Sequence, residues 1–193
     1  AFFDGIDFWD AQNGLIYGDP IDGKMLLLRT TDGGLTWNAV KEPPLLEAGE
    51  ASFAASGTGI RCSGTQSVMI CTGGMISRMW TSDSQGERWS SLTTPMVQGQ
   101  SSTGTFSLVQ HKGALHIVGG DYKNTAMNVN HNFYSLDGGK QWISPVSPTR
   151  GYRECIEAVA EKILLSTGPT GSDVSYDNGR NWKALSDHSG MHV

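Results

Sequence analysis

One eight-residue pattern recurs along this sequence and limits what it can fold into. TTDGGLTW covers Thr30 to Trp37, SLDGGKQW covers Ser135 to Trp142, and SYDNGRNW covers Ser175 to Trp182. All three fit Ser/Thr-x-Asp-x-Gly-x-x-Trp. TSDSQGERW, from Thr81 to Trp89, reads as a fourth copy with one extra residue between Asp83 and Gly86. The aspartates at 32, 83, 137 and 177 are then 51, 54 and 40 residues apart. A repeat of this length marks stacked supersecondary units such as the blades of a propeller.

The chemistry of the octapeptide is that of a hairpin turn. A carboxylate at Asp32, Asp83, Asp137 or Asp177 accepts bonds from N–H groups of its own loop. Glycine supplies a positive φ. The tryptophans, Trp37, Trp89, Trp142 and Trp182, are expected to fold back and bury their rings between sheets. These residues are therefore assigned to structure and not to catalysis.

The intervals between the boxes fit four antiparallel strands each. In the third, TFSLVQH (105–111) and ALHIVGG (114–120) flank a Lys112-Gly113 turn, and NFYSL (132–136) leads into the box. A fourth strand is expected near WISPV. The second interval offers SFAAS and GIRCSG, then SVMICTGG, SRMWTS and RWSSL. The first offers GIDFWD, GLIYGD, MLLLRT and TWNAV. In the fourth, RECIEAVAEKILLS has the local propensity of a helix. The repeat register instead makes CIEAVA and ILLSTG strands around a Glu161-Lys162 turn, and the register is the stronger constraint. The expected blades span 2–42, 50–95, 102–147 and 152–186, with 187–193 opening a further one. The fold class is therefore an all-β propeller of four-stranded antiparallel blades, read as part of a larger ring.

Composition narrows the function. The 193 residues carry a net charge of −5, which gives no general affinity for nucleic acid. No apolar run reaches the length of a membrane helix. Three cysteines, Cys62, Cys71 and Cys155, with no CxxC, indicate neither a disulfide framework nor a zinc site. A Cys62–Cys71 bridge is conceivable, but three free buried thiols are expected. Gly57-Thr58-Gly59 lacks the third glycine and the helix of a dinucleotide site, and GPTGS lacks the lysine of a P-loop. His188 and His192 have no third ligand, so no metal and no cofactor are expected. His116 reads as a core histidine.

The boxes resemble the Asp-box, or BNR, repeats of the sialidase-type superfamily. That group includes sialidases, xyloglucanases, sortilin-type receptors and photosystem II stability/assembly factor-like proteins. The phrases GIDFWDAQNGLIYGDP, LLLRTTDGGLTW, GEASFAASGTGIR, SSTGTFSLV, VGGDYKN and GPTGSDVSYDNG are similar to bacterial proteins of the last kind along nearly the whole chain. The resemblance implies a propeller of about seven blades, exported to the periplasm or beyond. It implies no agreed reaction, because one fold hosts many activities.

In a propeller, ligands usually meet the loops joining the second strand to the third and one blade to the next. The boxes lie at the opposite end. This sorts Asp19, Glu50, Arg78, Asp121, Lys123, Tyr152 and Arg153 onto one candidate face. Arg78 and Arg153 are suited to clamp a carboxylate, which predicts a polar or anionic ligand. Asp19, Glu50 or Asp121 is suited to acid–base work if desolvated. The first reading is a non-catalytic binding or assembly-factor propeller with a protein or carbohydrate partner. The alternative is a carbohydrate-active hydrolase. It lacks the Arg-Ile-Pro signature of sialidases and needs two carboxylates about 5 to 9.5 Å apart.

Overall fold

The alternating apolar runs between the boxes become strands, and the turn residues between them become hairpins. The computed structural model describes residues 2–189, which contain no helix. In chain order, the first sheet is β1 (Phe3–Phe8), β2 (Gly14–Ile21), β3 (Lys24–Thr30) and β4 (Asn38–Ala39). A short β5 (Glu50–Ala51) precedes the second sheet, which holds β6 (Ile60–Ser63), β7 (Ser67–Cys71), β9 (Arg78–Ser82) and β10 (Ser90–Thr93). Between β7 and β9 lies β8 (Gly73–Gly74). The third sheet is built on β11 (Thr103–His111), β12 (Ala114–Asp121) and β13 (Asn132–Ser135). The fourth is β14 (Cys155–Ala160), β15 (Ile163–Gly168), β16 (Gly171–Ser175) and β17 (Lys183–Ser186). Within each sheet the strands pair antiparallel in chain order, and each sheet is built on one propeller blade, the third also taking in β8 and β5 from the second interval. Residues 155–165 form the expected two strands and not a helix, because Ile156 and Leu164 face the third blade and are fully buried.

Three apolar cores separate the four blades. Leu15, Tyr17, Met25 and Leu27 of the first pack on Ile60, Val68, Ile70 and Trp80 of the second. Cys71 and Met79 pack on Leu108, Leu115, Ile117 and Phe133 of the third. Val109 and Val118 pack on Ile156, Leu164 and Trp182 of the fourth. A blade between two others is apolar on both faces, which is why β12 is buried along its entire length.

The first strands of successive blades, β1, β6, β11 and β14, run side by side along the inside of the arc. Each would be an open sheet edge, a feature that proteins have to cover. Here the preceding blade does so. The Asp7 carboxylate accepts the Cys62 amide at 2.7 Å, the Thr58 carbonyl accepts the Leu108 amide at 3.2 Å, and the Ser107 hydroxyl accepts the Ile156 amide at 3.0 Å. Arg61 donates onward to the carbonyls of Leu108 and Ile156 at 3.0 and 3.3 Å and pairs with Glu157.

The boxes correct the sequence reading at one copy. In three of them the aspartate accepts an amide four residues on: Thr36 to Asp32, Gln141 to Asp137 and Asn181 to Asp177, each at 2.9 Å. The preceding Thr30, Ser135 or Ser175 hydroxyl takes the amide of the box glycine. In the second box, Ser82 takes the Gly86 amide and Ser84 takes the Arg88 amide, both at 3.0 Å. Consecutive positive φ values at Gly33-Gly34, Gln85-Gly86, Gly138-Gly139 and Asn178-Gly179 fix the same alignment. The second box is therefore Ser82 to Trp89 with no insertion. Ser84 stands where the others have aspartate, and Asp83 is exposed. Ser84→Ala should cost about 1 kcal/mol by freeing the Arg88 amide, and Asp83→Ala should be neutral. Denaturant titration of the two variants checks this; a costly Asp83→Ala would restore the alignment with an insertion.

Burial of the box tryptophans is less than expected. Trp182 is buried at 5% exposure, but Trp37, Trp89 and Trp142 are half-buried. Trp89 and Trp142 pack against the edges of the blade cores, and each indole of Trp37, Trp89 and Trp182 bonds the carbonyl of its own box glycine. Two expected strands also change. Residues 52–56 are not a strand but a strap across the blade ends, held by Phe53 stacked on Phe106 and by the Ser56 hydroxyl on the Glu154 carbonyl. WISPV contributes only a bridge between Tyr134 and Ile143. Pro145 has no amide to continue it, and the chain turns to pair Ser147 with Asn181 of the next blade. The three cysteines are free, with Cys62 half-buried. His192 and residues 190–193 of the expected further blade lie outside the described residues.

Candidate functional site

The blade ends opposite the boxes carry the candidate residues. Asp19 is near the end of β2, Glu50 in β5, Arg78 opens β9, Asp121 ends β12, and Tyr152 and Arg153 precede β14. Lys123 follows in the loop after β12. The box turns follow β3, β9, β13 and β16, at the other end of the strands.

The arginines of this face are already engaged. Glu50 is 2% exposed and accepts from two nitrogens of the Arg78 fork, from the Thr72 hydroxyl at 2.6 Å and from the Trp80 indole at 3.2 Å. Burial pushes the Glu50 carboxyl up, but these donors outweigh it and hold it below its ordinary value. The Arg78 guanidinium lies over the Trp80 ring, 4.4 Å from the centroid. The chain just before the strap is joined to the third sheet through β8: Glu50 pairs with Gly74, and Gly73 with Gly104 of the third blade.

Arg153 is fully buried. Its fork donates to Asp173, with Nε at 2.8 Å, and Nη1 donates to the Tyr152 carbonyl and the Thr170 hydroxyl, each at 2.8 Å. Arg150 reaches the other Asp173 oxygen at 2.7 Å and also binds Asp187 and the carbonyls of Ser172 and Ser186. Asp173, buried between two guanidinium groups, carries no signal in the sequence because it reads as an ordinary residue of a short strand.

Asp121 is buried and caps its own turn by accepting the Lys123 amide at 2.9 Å. Tyr152 is buried, its hydroxyl donating to Glu154 at 3.3 Å, and burial raises its pKa. Its ring meets Phe106 edge-on, and Phe106 in turn stacks on Phe53 with centroids 4.0 Å apart. Tyr122 closes this cluster edge-on and stays 43% exposed, with the Lys123 ammonium 5.9 Å above its ring. Phe53 and Tyr122 give the face an aromatic step. A cluster of four rings from separate segments of the chain leaves no spacing signal in the sequence.

A second residue without a sequence signal is Asp4. It sits on a β-bulge, where the β1–β2 register shifts between Phe3 and Gly5. It is 6% exposed, and its Oδ2 is buried without a partner. Burial, and secondarily the charge of Asp19 on the adjacent strand, push its pKa up to about 7. The two strands approach closely here because position 18 is glycine; a Cβ there would overlap the Phe2 carbonyl. Among the described residues, no group of three His, Cys, Asp or Glu side chains is placed to hold a metal ion. Clefts of about 480, 500 and 420 Å³ lie elsewhere, lined by box and outer-strand residues such as Asp83, Trp89, Asn38 and Pro43.

Blade order, box geometry and blade-to-blade packing define a β-propeller segment of the Asp-box kind. Neither a family model nor a curated protein matches the chain. Solved structures match it in fold. The YCF48 protein bound to a D1 peptide aligns with a TM-score of 0.65 at 16% identity, over 95% of this chain and 54% of that one. The GH74 enzyme of Niastella koreensis aligns at 0.64 and 15%, over 94% of this chain and 30% of that one. A Hadza microbial sialidase aligns at 0.53 and 16%, over 95% and 46%. The chain thus spans about half or less of each of these structures, and the likeness is one of fold.

Proposed function

We propose that this chain is the binding part of an assembly-factor-type propeller, whose peptide ligand meets the blade ends around Tyr122. One observation carries the reading. Both arginines suited to clamping a ligand, and Glu50 with them, are locked into buried pairs, Glu50 with Arg78 and Asp173 with Arg153. What stays open is an aromatic step with Lys123 beside it, which suits recognition of an extended segment more than bond cleavage. The YCF48 structure, solved with a D1 peptide, supports a protein ligand. Further blades completing the ring, and export from a bacterial cytoplasm, belong to the same proposal.

A hydrolytic reading has one observation in its favour: Asp4 is a carboxyl raised toward neutrality beside a second carboxylate, as in a general acid. An array of short synthetic peptides and a panel of glycosides, applied to the intact protein, separate the two. Saturable peptide binding is expected, weakened about tenfold by Tyr122→Ala and unchanged by Trp37→Ala on the box side. Glycoside turnover that disappears in Asp4→Asn would overturn the proposal.

A further inference from the structure

The charge of the ligand face runs opposite to what its arginines suggest. From sequence, Arg78 and Arg153 predict an anionic ligand. In the structure Arg78 is spent on Glu50 and the Leu45 carbonyl, and Arg153 on Asp173, Tyr152 and Thr170. Arg150 is tied to Asp173, Asp187 and two carbonyls. For Arg78 and Arg153, clamping an anion would require breaking pairs that are themselves buried, which is costly.

The first blade shows the reverse. Among the described residues, the Asp4 Oδ2 is the only buried carboxylate oxygen without a hydrogen-bond partner. Asp19, half-buried on the neighbouring strand, is near enough for its charge to act on Asp4. Among the described residues, neither carboxylate is in an ion pair. The arrangement is held by the backbone: Asp4 is fixed on the bulge, and the Asp19 amide donates to the Phe2 carbonyl at 3.1 Å. A buried acceptor near a second carboxylate, with no donor supplied by the fold, asks for a donor from outside.

We infer that Asp4 and Asp19 form the receptor for a cationic group of the ligand, an ammonium or a guanidinium. The inference rests on the reading of the blade ends as the ligand face. A planar guanidinium meets both needs together, since it donates to two carboxylates and relieves their mutual repulsion. The half-buried Asp19 is the outer contact and the buried Asp4 the inner one.

The test uses the intact ¹⁵N-labelled protein near neutral pH, titrated with tri-arginine amide and, separately, with tri-glutamate. Tri-arginine is expected to shift the amides of Phe3, Gly5 and Asp19 saturably. Asp19→Asn should weaken that binding about tenfold, and Asp4→Asn should weaken it at least as much, as expected for charge-assisted bonds. Asp83→Asn, which removes the same charge at the box end, should leave it unchanged. Melting curves establish that each variant is folded. Tri-arginine binding that survives Asp4→Asn and Asp19→Asn overturns the inference. Tri-glutamate binding at the same amides overturns it while leaving the ligand face intact. No response at any blade-end residue to either peptide sinks both.

Discussion

Replacing Asp4 by asparagine should raise the melting temperature above neutral pH and leave it nearly unchanged near pH 4. Asp4 is raised from an ordinary carboxyl value to about 7, chiefly by burial. Between those two values the folded chain holds a proton that the unfolded chain has released, so stability falls as pH rises across the window. Each tenfold difference in proton affinity between the folded and unfolded chain is worth about 1.4 kcal/mol, which puts the full penalty at roughly 4 kcal/mol above pH 7. Asparagine has the shape of the protonated acid and carries no such penalty. The two curves should therefore diverge between pH 4 and pH 7, the wild type losing stability relative to Asp4→Asn as pH rises. Parallel curves would show that Asp4 is solvated or paired in solution. A residue that costs stability at physiological pH is expected where function and stability compete.

Asp173→Ala should be strongly destabilising, by about 3–5 kcal/mol, because it strands the fully buried Arg153 guanidinium. Arg150 loses the same partner, but its side chain is 38% exposed and still reaches Asp187, so it adds little. The double variant Arg153→Met with Asp173→Leu should recover most of the loss, since apolar residues of similar size can replace a buried pair. Urea titration at constant pH measures both variants against the wild type. If Asp173→Ala costs less than about 1 kcal/mol while ligand binding falls, the pair serves the ligand and not the fold.

How far the fold can be read in advance depends on where the signal lies. Box spacing and strand register are local, and they overrule the helical propensity of CIEAVAEK because Ile156 and Leu164 fall on the face that the third blade covers. The second box misleads because Asp83 offers the expected carboxylate one position from the residue that makes the bond. Serine bonds the turn as well as aspartate does, and only the backbone shows which of the two faces inward. The face itself is legible as a set of strand ends. Its electrostatics are not, because Arg78 and Arg153 look available until Glu50 and Asp173 are seen against them. Asp4 is hidden for a related reason: a bulge breaks the alternation by which inward and outward positions are counted.

The covering of each inner strand by the blade before it gives the arc a direction. Asp7 serves the second blade, Thr58 the third and Ser107 the fourth, so dependence passes from lower to higher residue numbers. Unfolding should then behave like the opening of a zip. Loosening the first blade bares the Cys62 amide, which weakens the second blade and in turn the third. Loss of the fourth blade removes the Ile156 donor to Ser107 and two partners of Arg61, but leaves the Cys62 and Leu108 amides covered. Amide exchange resolved by blade would show this polarity, with Asp7→Ala speeding exchange at Cys62 first and spreading forward. A pulling force should likewise meet different resistance at the two ends of the segment.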